Sequence, residues 1–241
     1  MFAGIPVVDG VSIAHSFSHA LQAPVVDAAL IISSMGQECD AGPDTDVHAM
    51  PLHQWLQLLN STFNQQPWQY GSEVAAAYAN LSEVDPALAY ASINADYSLT
   101  CGNVAIASAA KRANFSSPIY VILNQWYPEH TAAQHRPRWA YHSFDYGAAF
   151  EQWDDQQLIP TAQDLQFSRL MQHIFAAFIY EGNLSSNNPW EIRTIDSDAK
   201  GAVTNVVSID SGGNAPVVNY KNEQCEMWAR MGLDDRFWWI N

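Results

Sequence analysis

The run SPIYVILNQW at 117–126 sets the first limit on how this chain folds. It is dense in β-branched and aromatic residues and carries no helical spacing, so it predicts a strand. A second apolar run, AALIISS at 28–34, has the look of another buried strand. Helical patterns lie between and after them. PLHQWLQLLNSTF at 51–63 puts Leu52, Trp55, Leu58 and Leu59 at helical spacing, the mark of an amphipathic helix. SEVAAAYANL at 72–81 and NVAIASAAKRA at 103–113 are helical by their alanine content. From 161 to 181 the stripe Leu170, Met171, Ile174, Phe175 and Phe178 repeats the helical spacing. Thr161 and Asp164 make a capping box after Pro160, and Gly182 marks the stop. VTNVVSID at 203–210 and APVVNY at 215–220 read as late strands joined by a Ser-Gly-Gly-Asn turn, and NEQCEMWARMGL as a last helix. Strands alternating with helices predict an α/β fold. No linker divides residues 1–241, which read as one domain.

Ten basic against 25 acidic residues give a net charge of −15, which argues against nucleic acid or an anionic membrane as partner. No apolar run approaches the roughly 20 residues that span a bilayer. The N-terminus MFAGIPVVDG has neither a basic region nor a long apolar one and is not read as a signal peptide. A 48% hydrophobic fraction, with 9 Trp, 10 Tyr and 10 Phe, is ample for a sizeable core. The cysteines are Cys39, Cys101 and Cys225, without the CxxC or Cys/His clustering of a zinc site. His15 and His19 stand four apart but lack an HExxH context, so no metal is expected and they are read as structural or surface residues. Four N-x-S/T sequons mark Asn60, Asn80, Asn114 and Asn183 as candidate N-glycosylation sites. With a disulfide they would point to a secreted protein whose signal lies outside this chain.

Two side chains carry candidate chemistry. Glu38, in SSMGQECDAG, directly follows a predicted strand, where α/β folds place their sites. On its own, a loop glutamate reads first as a solvated side chain. His142, in WAYHSFDYGAAF, sits among aromatics with Asp145 three residues on, but it is one of eight histidines. A serine hydrolase needs the sharp G-x-S-x-G turn that exposes its nucleophile. That motif is absent: ISSMG and IDSGG both have isoleucine at the first glycine. The chain offers an acid and a base without a recognisable nucleophile.

The order of several motifs nevertheless resembles a known family. PVVDG at 6–10, the strand leading to Glu38, NADYSLTC at 94–101, SPIYVIL, HSFDYGAAF, FAAFIYEGN at 175–183, Pro189-Trp190 and QCEMW at 224–228 occur in that sequence. Together they resemble the C-terminal half of the type-B carboxylesterases, the cholinesterase-like branch of the α/β-hydrolases. The resemblance runs from Pro6 to about Trp228 and implies a partial mixed sheet flanked by helices. It places Glu38 on the triad acid and His142, 104 residues later, on the triad histidine. Asp145 falls on the acidic residue after the histidine, and Cys101 and Cys225 on a disulfide pair, leaving Cys39 unpaired. The implied activity is hydrolysis of a small-molecule carboxylic ester with no cofactor, its serine and oxyanion hole lying in an N-terminal half that is not in this sequence. Where the family has Asp, Gly and Gly around its acid and histidine, this chain has Gln37, Cys39 and Ser143. Losing two glycines narrows the accessible backbone conformations. The alternatives are an inactive cholinesterase-like binding or adhesion module and a plain structural α/β domain in which the motifs coincide by chance.

Overall fold

The computed structural model describes residues 10–11, 14, 28–38, 50–64, 69–113, 115–128, 139–154, 158–184, 196–197, 203–204, 206–210, 213–217 and 221–232. Its central sheet joins β1 (Leu30–Met35), β2 (Ile119–Asn124), β5 (Val206–Asp210) and β6 (Gly213–Val217), in that spatial order. β1 and β2 run parallel in register from Leu30 opposite Ile119 to Met35 opposite Asn124. β2 and β5 are also parallel, whereas β6 returns antiparallel, with Gly213 opposite Asp210. A short pair, β3 (Asp196–Ser197) with β4 (Val203–Thr204), lies apart from this sheet.

All six residues of β2 are buried, as a central parallel strand covered on both faces requires. Its side chains alternate between two cores. Tyr120 and Ile122 join Met35, Phe144, Phe167, Met171 and Ile174 on one side, under α6 (Phe144–Ala149) and α7 (Ala162–Glu181). Ile119, Val121 and Leu123 join Ala107, Ala110 and Phe115 on the other, under α5 (Cys101–Arg112). A parallel sheet with helices on both faces is an α/β arrangement.

α7 forms where its local signals put it. Thr161 accepts from Asp164 N while Asp164 accepts from Thr161 N at 2.8 Å, closing the capping box, and Gly182 ends the helix at φ 68°. Met171 and Ile174 are buried, with Leu170, Phe175 and Phe178 partly so.

A third core lies among α1 (Leu52–Phe63), α2 (Gly71–Ala77), α3 (Ala79–Val84), α4 (Pro86–Ala95) and α8 (Asn222–Arg230). Here the sequence reading needs amending. Trp55 and Leu59 of α1 are buried, but Leu52, in the first turn, is exposed. The stretch 72–81 is two helices, broken at Tyr78, whose ring is buried and whose hydroxyl makes the hydrogen bonds described below. α4, with Pro86 at its first position and Asp85 accepting from Ala87 N at 2.9 Å, continues through a π-helical turn (Asp96–Thr100) into α5. Residues 94–101 thus lie inside a continuous helical stretch. Gly213 and Asn214, expected in a turn, already belong to β6.

Cys101 and Cys225 form a disulfide that ties α8 to the start of α5. Two further links reinforce it. Lys221 Nζ pairs with Asp96 Oδ1 at 2.6 Å, and Trp228 donates to the Tyr78 hydroxyl at 3.0 Å, which itself donates to Asp96 Oδ2 at 2.6 Å. Asp96 is wholly buried, and desolvation holds its carboxyl above its ordinary value of 3.8 despite the opposing pull of Lys221 and Tyr78. No helix among the described residues is long and apolar enough to cross a membrane.

Candidate functional site

β1 and β2 end side by side, and the chain leaving each carries one of the two candidate residues. After Met35, Gly36 donates to Asn124 O at 2.8 Å and Gln37 donates to Ala140 O at 2.9 Å, so the turn bearing Glu38 stays against the end of β2. Gln37 pairs in turn with the incoming segment: it forms a parallel bridge to Tyr141, and its Oε1 accepts from Ala140 N at 3.0 Å. His142 follows immediately.

The two side chains meet. Glu38 Oε2 lies 2.6 Å from His142 Nδ1, while Glu38 Oε1 accepts from Met35 N at 2.6 Å. Both carboxylate oxygens are therefore engaged, and the side chain is fixed from two directions. Its side chain is 8% exposed, against 61% for the imidazole. A carboxylate can only accept, so this contact places the proton on Nδ1 and leaves Nε2 as the basic nitrogen. An imidazole held in that tautomer is suited to take a proton at Nε2.

Asp145 holds the turn that carries His142. Its Oδ2 accepts from Ser33 Oγ at 3.1 Å and Asn124 Nδ2 at 2.9 Å, and its Oδ1 from Tyr146 N at 2.8 Å. Burial is the main influence on its carboxyl and raises its pKa. The neighbouring Glu38 adds to the rise, while the bonds from Tyr146, Ser33 and Asn124 oppose it. Ser143, between His142 and α6, takes φ 65° and ψ 9°, the left-handed conformation that glycine enters without penalty. The serine thus holds a turn conformation that favours glycine.

Ser33 and Asn124 were not singled out from the sequence. Asn124 closes an otherwise apolar strand, and that one polar residue at the strand's end was the available signal. Among the described residues, no group of three His, Cys, Asp or Glu side chains is arranged to hold a metal ion. Of the sequon asparagines, Asn60 and Asn80 are exposed and Asn183 is half-buried. Asn114, Cys39, His15, His19 and Pro189-Trp190 lie outside the described residues.

Compared with models of protein families and with curated protein sequences, the chain matches none.

Proposed function

We propose that Glu38 and His142 are the acid and base of a Ser-Glu-His carboxylic ester hydrolase. The observation that carries this reading is the 2.6 Å contact between Glu38 Oε2 and His142 Nδ1 at the C-terminal ends of adjacent parallel strands. Support also comes from the motif order that resembles the C-terminal half of the type-B carboxylesterases. Under this reading His142 Nε2 takes the proton from a serine as its oxygen attacks the ester carbonyl. Glu38 keeps the imidazole in the correct tautomer and stabilises the imidazolium that forms. The alcohol leaves with that proton, and water activated by the same nitrogen releases the acid from the acyl-enzyme. No G-x-S-x-G occurs in residues 1–241, so this reading requires the serine and oxyanion hole to come from outside them. The Cys101–Cys225 disulfide supports folding in an oxidising compartment, in keeping with secretion.

The test is covalent labelling. The chain is produced together with the segment encoded at its 5′ side and treated with a fluorophosphonate. A labelled serine outside residues 1–241, lost in His142→Ala, is the expected result. Label on a serine within residues 1–241, or no label at all, overturns the reading; the second outcome would favour an inactive binding module.

A further inference from the structure

Asn124 touches both arms of the Glu38–His142 pair. Its backbone carbonyl accepts from Gly36 N at 2.8 Å, two residues before Glu38. Its side-chain Nδ2 donates to Asp145 Oδ2 at 2.9 Å, three residues after His142, and to Ser33 Oγ at 3.0 Å on the neighbouring strand. The side chain is wholly buried, and among the described residues its Oδ1 has no hydrogen-bond partner. A buried acceptor left unsatisfied costs stability, and an aliphatic side chain of the same size would avoid that cost. What the amide supplies is its two N–H bonds, which reach the elements that bear the pair. The turn it restrains also needs restraint, because Ser143 holds a left-handed conformation that a non-glycine residue resists.

We propose that Asn124 is a positioning residue for His142. Through Asp145 it fixes the histidine-bearing turn, and through its own backbone it fixes the acid-bearing turn, setting the imidazole against Glu38. Its catalytic purpose rests on the hydrolase reading above, but its test does not involve turnover.

The experiment uses residues 1–241 with 15N-labelled histidine. Ring 1H–15N spectra separate the Nδ1–H from the Nε2–H tautomer, and the His142 signal is assigned by its loss in His142→Ala. Asn124→Leu keeps the size and removes both donors. It is expected to lower the Nδ1–H fraction of His142 several-fold while thermal unfolding stays cooperative. An unchanged ring spectrum in Asn124→Leu overturns the proposal. Asp145→Leu cuts the same brace from its other end and should give the same loss, which keeps the idea testable if Asn124→Leu does not fold. A retained Nδ1–H signal in Asp145→Leu overturns it as well. In the double variant the loss should be no greater than in either single one, since both act by one route; a further, additive loss contradicts that route. A shifted ring in a protein that never hydrolyses esters would leave the positioning role standing and remove only the hydrolase reading.

Discussion

Glu38 and His142, 104 residues apart in the chain, meet with Oε2 and Nδ1 2.6 Å apart. The carboxylate is buried and held a second time by Met35 N, so it is the fixed partner and the imidazole the one that is oriented. Glu38→Gln should therefore leave the fold intact and free the imidazole, because an amide can either donate to Nδ1 or accept from it. Ring spectra of that variant should show both tautomers of His142. A single, unchanged Nδ1–H tautomer would show that something other than Glu38 sets it.

The disulfide between Cys101 and Cys225 spans 124 residues. In the chain-entropy model, closing a loop of that length stabilises the fold by roughly 5 kcal/mol. The Cys101→Ala, Cys225→Ala variant should lose less, about 2–4 kcal/mol, because measured bridges commonly deliver less than the chain-entropy figure. Urea unfolding with and without reductant measures this. Equal midpoints would mean that the bridge does not form in solution.

Lys221 and Asp96 make a pair with opposite exposures, 17% and 0% of their side chains. Removing the cation leaves a carboxylate buried without compensation, so Lys221→Met should cost about 3–5 kcal/mol near pH 7. The sign of the pH effect follows from the raised folded-state pKa of Asp96. Folding favours the protonated carboxyl, so its contribution is fully present below the ordinary value of 3.8 and is lost as pH rises through the raised value. The deficit of Lys221→Met should thus shrink on acidification. A deficit that grows as pH falls would contradict this account of Asp96.

What the sequence revealed divides along the range of the interactions. The Thr161/Asp164 cap, the Gly182 stop and the strands at 30–35 and 119–124 depend on neighbours within a few residues, and all were legible. The Glu38–His142 contact and the cysteine pairing were legible only through motif order, because nothing local brings together residues more than 100 apart. No local signal marked the break at Tyr78, whose hydroxyl partners Asp96 and Trp228 lie 18 and 150 residues away. Asn124 read as the end of a strand. Its role comes from Ser33 and Asp145, which the fold alone brings to it.

Ser143 keeps a left-handed backbone at φ 65°. That conformation costs an L-residue roughly 1–2 kcal/mol, and glycine's extra unfolded-state entropy returns about half of it. Ser143→Gly should raise stability by about 0.5–1 kcal/mol, whereas Ser143→Val, β-branched and poorly suited to positive φ, should lower it. Thermal unfolding of the two variants checks the order. Destabilisation by glycine would mean that the serine side chain contributes more than its backbone loses.

The central claim is that Glu38 and His142 serve a serine supplied from outside residues 1–241. Its most direct measurement is kcat/KM for p-nitrophenyl acetate, taken on residues 1–241 alone and on the same chain produced with its 5′-encoded segment, each beside His142→Ala. The account predicts turnover only in the longer protein, falling by about 10⁴-fold or more without His142. Turnover by residues 1–241 alone that depends on His142, or full activity of the longer protein without it, would contradict the account.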